Sequence, residues 1–323
     1  LEYRKLGKWG VKVSEVALGS WLTYGESVDD ADAIKQIEFA VSQGINFLDT
    51  ANVYAHGHAE EVVGMALKEM TRDEIFLATK AFFPVGDGPN DRGLSRKHLV
   101  EQCQISLRRL QTHYIDLYQC HRFDPDTPME ELVMTMDMLT RQGKILYWGV
   151  SEWTAEQIQS AVDTARQLNA PPPVSNQPRY NMLQRDIERD VIPVSWSNGL
   201  GQVCFSPLAQ GVLTGKYQPD QPPPKDSRAA SEREGAFLRG RDTMSKDNLE
   251  RVQELGKVAK DLNLTTGQLA LAWILRLQEV SSVIIGATRT EQIQENVAAS
   301  NVKLPADALK RIEDILSGQI ARR

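Results

Sequence analysis

The chain has 323 residues, 41% apolar and 25% charged, with 37 Lys and Arg against 43 Asp and Glu for a formal net charge of −6. This is the composition of a folded protein with a large core, and an acidic balance without a dense Lys/Arg block argues against nucleic acid or an anionic membrane surface as the main partner. The longest apolar stretches, such as residues 269–275, fall far short of the about 20 residues of a bilayer span, so no membrane insertion is expected. Cys103, Cys120 and Cys204 are odd in number, widely spaced and free of any C-x-x-C pattern, which predicts free thiols and a reducing, cytoplasmic setting.

Residues 2–6 and 11–14 flank Gly7-Lys8-Trp9-Gly10 and read as a hairpin. Eight short β-rich runs follow, at 16–20, 47–51, 75–80, 115–121, 145–151, 174–177, 202–208 and 280–287. Between them lie amphipathic segments such as 32–43, 60–69, 95–110, 129–142 and 155–168, whose apolar residues recur at three and four positions. A strand followed by a helix, repeated about every 30 residues, implies parallel pairing and βα units. A long insert before the last strand is Pro-rich at 222–224 and charged over 225–242, and is followed by helical patterns at 246–262 and 266–278. A final helix is expected at 306–316, after Pro305.

Eight such units suit a (β/α)8 TIM barrel with an N-terminal hairpin plugging its bottom and extra C-terminal helices, an α/β fold built as one domain over residues 1–323. The competing open doubly wound sheet lacks its Gly-x-Gly-x-x-Gly after the first strand.

In a barrel the chemistry collects at the C-terminal ends of the strands. There the second strand ends in Phe47-Leu48-Asp49-Thr50-Ala51, the third ends with Lys80 and the fourth with His121, and Tyr54 follows three residues past the second. A carboxylate and an ammonium closing adjacent apolar runs are costly to bury alone and can neutralise each other. A cation near Tyr54 favours phenolate, lowering a phenol pKa from its reference near 10 and making a usable proton donor. Such a group suits polarising a carbonyl while something else delivers a nucleophile or hydride. Taken singly, each of these residues also has a structural reading: an ion pair, a rim histidine, a loop cap. The His56-Gly57-His58 run has no carboxylate or cysteine at ligand spacing, so no metal site is expected.

Asp49-Thr50-Ala51-x-x-Tyr54, Lys80, and Asp116-Leu117-Tyr118-Gln119-Cys120-His121 resemble the aldo-keto reductase superfamily. Leu18-Gly19-Ser20-Trp21, Tyr147-Trp148-Gly149-Val150-Ser151, Ser206-Pro207-Leu208-Ala209 with Gly215-Lys216-Tyr217, and Val283-Ile284-Ile285-Gly286-Ala287 with Glu295-Asn296 are similar to its branch containing potassium-channel β subunits. The resemblance implies NADPH-dependent reduction of aldehydes or ketones, with hydride delivered by the nicotinamide, Tyr54 as general acid, Lys80 depressing its pKa, Asp49 orienting Lys80 and His121 orienting the carbonyl. It further implies that Ser20, Trp21 and Asp49 bind the cofactor, that Ser151 and Gln177 hold its carboxamide and that Phe205 stacks on the nicotinamide ring. Ser206, Pro207, Leu208, Ala209 and Gln210, with Lys216 and Arg228, would cover the diphosphate. Gly286, Thr288, Gln292, Glu295 and Asn296 would take the adenosine. Trp21, Tyr54, Phe82, His121 and Trp153 are the implied substrate contacts.

Two departures bear on function. Many members of the superfamily carry Lys and Arg where Gly286 and Gln292 stand, to meet a 2′-phosphate; Arg289 can replace part of that charge, so NADPH is expected with NADH as the alternative. Channel β subunits tend to have Asn where this chain has His121, which favours a working reductase with a small carbonyl substrate. The alternatives are a nicotinamide-binding, redox-sensing subunit and a Schiff-base lyase acting through Lys80. Whether the chain forms a homo-oligomer is left open by the sequence.

Overall fold

The computed structural model describes residues 1–25, 27–225, 227–231, 235, 238 and 242–317. The hairpin is present as β1 (Tyr3–Lys5) and β2 (Lys12–Ser14), antiparallel with Arg4 opposite Val13. Eight strands follow: β3 (Val16–Gly19), β4 (Phe47–Asp49), β5 (Phe76–Ala81), β6 (Ile115–Cys120), β7 (Ile145–Ser151), β8 (Ser175–Gln177), β9 (Gly201–Cys204) and β10 (Val280–Ile285). They close into a barrel in the order β10-β3-β4-β5-β6-β7-β8-β9, every pair parallel. This is the (β/α)8 barrel that the strand–helix repeat predicts.

Side chains alternate between the barrel interior and the surrounding helices. Ala17, Phe47, Phe76, Ala78, Leu117, Val174 and Val203 fill the interior, and Leu6 and Val13 of the hairpin join them from below, as the plug reading expects. The larger cluster lies outside the barrel, between strands and helices, and includes Ile37, Leu99, Val133, Trp148, Ile158 and Trp273. Burying each such large apolar side chain contributes about 1.5–3 kcal/mol, which is why the helical stripes face inward.

Arg4 ties the hairpin to the last βα unit. Its guanidinium donates to the carbonyls of Leu275, Leu277 and Val280 at 2.7, 2.9 and 2.8 Å and pairs with Glu15 at 2.6 Å. Orphan carbonyls at the end of the Thr266–Leu275 helix thus gain charged donors. Helix starts are capped by side chains: Thr154 with Gln157 and Thr265 with Gln268 form capping boxes, and Ser95 and Ser245 accept from the backbone three residues on.

Two differences from the sequence reading have local causes. The seventh barrel strand, expected over 202–208, ends at Cys204, because Ser206 adopts φ +51° and Pro207 has no N–H to pair. A helix at Val191–Asn198 follows β8 without an announcing periodicity, since its apolar residues run together around Pro193; Gly199 at φ +82° ends it. Much of the charged 225–242 run lies outside the described residues, so that part of the insert is not described. Among the described residues no helix is long and apolar enough to cross a membrane, and all three cysteines are free and buried.

Candidate active site

Strand register places the predicted groups at one rim. Asp49 ends β4 opposite Ala78, Lys80 lies near the end of β5 opposite Gln119, and Ser151 ends β7 opposite Gln177. Lys80 shares the inward face with Ala78, while the intervening Thr79 points out and donates to Glu60 at 2.6 Å.

Lys80 is completely buried. Its Nζ donates to Asp49 Oδ2 at 2.6 Å, to the Thr50 carbonyl at 2.8 Å and to the Tyr54 hydroxyl at 3.3 Å. The second Asp49 oxygen accepts from Gln177 Nε2 at 2.8 Å and Gln119 Nε2 at 3.3 Å, so both carboxylate oxygens are hydrogen-bonded. Tyr54 OH also lies 3.5 Å from His121 Nε2, with the two rings edge to face. Tyr54 reaches this position through a tight turn in which Ala55, His56 and Gly57 all have positive φ.

Electrostatics assign a protonation state to each group. Burial pushes the Lys80 ammonium down, but Asp49 and Tyr54 together outweigh it and hold its pKa above the usual value. Burial and the charges of Lys80 and Arg122 hold the His121 imidazole well below its usual range, so it is neutral. For Tyr54 the expected depression by Lys80 does not prevail: burial raises the phenol pKa, Lys80 pulls it down, and the net direction is up because the hydroxyl is enclosed. Tyr54 is therefore a fully protonated O–H donor beside a cation and a neutral imidazole.

Asp49, Tyr54 and His121 line a cleft of about 1260 Å³, with Lys80 buried behind them; the cleft is larger than the roughly 300–1,000 Å³ of an ordinary ligand pocket. Its lining includes Tyr54, His121, Ser151, Gln177, Phe205, Ser206, Pro207, Leu208, Gln210, Lys216, Arg228, Gly286, Thr288, Arg289, Gln292, Glu295 and Asn296. Trp21 lines it as well; Ser20 and Ala209 lie behind the wall, buried, with Ser20 bonded to Thr50 Oγ1 at 2.9 Å.

Two expected substrate contacts lie elsewhere. Trp153 is 2% exposed and packs edge-on against Phe123, and Phe82 packs on Phe83. Phe83, the next residue, lines the cleft and meets His121 at 4.8 Å between ring centroids. The sequence reading also passes over Arg122, Arg179, Val53 and Tyr24, all in the cleft wall. For Arg122 a signal exists: it directly follows His121 where the chain leaves the rim.

The wall has the chemistry for an elongated anionic cofactor. Lys216, Arg228 and Arg289 line it, and Gln210 contributes a buried Oε1 with no hydrogen-bond partner among the described residues.

A family model described as "Aldo/keto reductase family" matches residues 15–317. A protein of Arabidopsis thaliana described as "Probable voltage-gated potassium channel subunit beta" is 42% identical over 327 aligned positions, covering 100% of this chain and 98% of that protein. A protein of Oryza sativa subsp. japonica with the same description is 39% identical over 327 positions, with the same coverage of both. Barrel, rim constellation and full-length similarity agree: the chain belongs to the aldo/keto reductase family, whose members are oxidoreductases that bind nicotinamide cofactors.

Proposed function

We propose that the chain catalyses NADPH-dependent reduction of aldehydes or ketones to alcohols, with Tyr54 as the general acid. The observation that carries this reading is the Tyr54 hydroxyl held between Lys80 Nζ at 3.3 Å and His121 Nε2 at 3.5 Å. A bound reduced nicotinamide supplies the hydride. The chain does the rest.

Tyr54 donates its proton to the carbonyl oxygen as negative charge develops there, and the Lys80 cation, kept charged by Asp49, stabilises the resulting phenolate. Neutral His121 presents Nε2 to the same oxygen and orients the carbonyl. Burial that keeps the resting phenol protonated secures the donor, and Lys80 limits how far its pKa rises.

For the cofactor, Ser151, Gln177, Trp21 and Phe205 are assigned to the nicotinamide end, with Ser20 supporting from behind. Ser206 to Gln210, Lys216 and Arg228 are assigned to the diphosphate, and Gly286, Thr288, Gln292, Glu295 and Asn296 to the adenosine. Arg289, in the cleft wall, supports NADPH over NADH.

Fluorescence titration with NADPH and NADH, followed by excess 4-nitrobenzaldehyde while reduced-nicotinamide absorbance is recorded, tests the proposal. Tyr54→Phe should lower turnover by about 10²–10⁴-fold, the range for a general acid, with NADPH binding retained. Equal loss of binding and turnover would make the hydroxyl structural.

The similarity to proteins described as channel subunits supports a second reading, a nicotinamide-binding subunit whose oxidation state a partner senses. A single slow oxidation of bound NADPH without sustained turnover would favour it. A Schiff-base lyase is disfavoured because Lys80 is enclosed, ion-paired and charged, whereas imine formation needs a neutral amine.

A further inference from the structure

The chain is acidic overall, yet the described cleft wall contains Arg122, Arg179, Lys216, Lys225, Arg228 and Arg289 against only two carboxylates, Asp49 and Glu295. Asp49 is already paired with Lys80. Lys216, Arg228 and Arg289 belong to the wall assigned above to phosphates. Arg122 stands apart from them in the chain, directly after His121, one of the groups assigned to chemistry.

Arg122 is held in place but not neutralised. Its Nη1 donates to the His121 carbonyl and lies 3.4 Å from Ser151 Oγ, and its guanidinium carbon sits 5.4 Å from the Phe83 ring centroid. Its charge acts on both reactive groups, pulling the Tyr54 phenol and the His121 imidazole downward. Among the described residues no carboxylate pairs with it. With Nη1 engaged, Nε and Nη2 meet no acceptor among the described residues and remain as one edge of the fork, the donor pair that matches a carboxylate. A guanidinium fixed by a ring and two oxygens loses little further freedom when an anion docks.

We infer that the substrate is a short aldehyde or ketone bearing a carboxylate, which docks on the free edge of Arg122 while the carbonyl oxygen meets Tyr54 and His121. The inference rests on the carbonyl-reduction reading and narrows it to a substrate class. One guanidinium matches one negative charge, which favours a carboxylate over a phosphate ester.

Steady-state kinetics with both nicotinamide cofactors compare succinic semialdehyde with butanal and 4-carboxybenzaldehyde with its methyl ester. The natural chain should use the carboxylated member of at least one pair about tenfold better or more in kcat/KM. Arg122→Met should cut that ratio by about 30-fold, and Arg122→Lys, which keeps the charge without the fork, should restore part of it. Equal use of both members in both pairs, or a ratio that survives Arg122→Met, overturns the inference.

Calorimetric titration with 4-hydroxybutyrate against butan-1-ol, in the presence of NADP, reads the same site without turnover. Carboxylate binding that is lost in Arg122→Met but partly kept in Arg122→Lys supports the site even if no aldehyde is reduced, a combination that would sink carbonyl reduction alone. Absence of any Arg122-dependent binding would overturn the anion site whether or not neutral aldehydes are reduced.

Discussion

The guanidinium of Arg109 occupies the space that a side chain on Gly57 would need: a Cβ built there lies 2.2 Å from Arg109 Cζ, and Gly57 has φ +96°. The same Nη1 donates to the Asn52 carbonyl at 3.2 Å and to Glu60 Oε2 at 3.2 Å. One cation therefore grips the turn bearing Tyr54 at both ends. It is held from behind by a carboxylate that is completely buried.

Gly57→Ala should be strongly destabilising, because the new methyl meets both a left-handed backbone and the Arg109 guanidinium. A loss of about 2–3 kcal/mol is expected in urea unfolding, since an Ala at incompatible φ already costs about 1 kcal/mol or more before any overlap. A loss within about 0.5 kcal/mol, the range of neutral surface changes, would show that Arg109 yields easily and does not grip the turn.

The Lys80–Asp49 pair should behave as a coupled unit. Lys80→Met leaves the buried Asp49 with only the amides of Gln177 and Gln119, and removing one partner of a buried pair costs about 3–5 kcal/mol. Adding Asp49→Asn should recover part of that loss, because no unpaired charge then remains. A double-mutant cycle in urea with a coupling energy near zero would contradict the pairing.

His121 makes a pH-dependent contribution with a definite sign. Its imidazole is held well below the usual range by burial and by Lys80 and Arg122, so below about 6.5 the unfolded chain binds a proton that the folded chain refuses. That contribution is fully present above the unfolded pKa and falls away on acidification. His98 acts in the same direction through burial, whereas Glu61 and Asp30 raise the pKa of His58, which acts oppositely. Comparison of wild type with His121→Gln isolates the one residue: between pH 7.5 and 5.5 the variant should lose less stability. Identical losses would mean that the site accommodates the imidazolium.

Arg289 should discriminate between cofactors. It lines the cleft together with Gly286, Thr288 and Gln292, none of which carries a charge. Arg289→Ala is expected to weaken NADPH binding about tenfold, the scale of one charge-assisted phosphate contact, and to leave NADH binding nearly unchanged in a fluorescence titration. Parallel weakening of both would move Arg289 away from the 2′-phosphate.

Sequence alone determined the strand–helix alternation, the eight strands and their parallel pairing, because β-rich runs and apolar periodicity are local signals. It also brought Asp49, Lys80 and His121 to one rim, since a residue's place at a strand end follows from counting along that strand. Tertiary structure decided which of two neighbouring phenylalanines enters the cleft, that Trp153 is spent on Phe123, and that Ser206 and Pro207 turn the chain away just after Cys204. It also decided that Arg122 is left without a carboxylate partner among the described residues, and that enclosure outweighs Lys80 in setting the direction of the Tyr54 pKa. These outcomes depend on how completely a group is desolvated and on contacts between residues far apart in the chain, such as Tyr54 with His121 and Asp49 with Gln177. Neither quantity exists until the barrel closes.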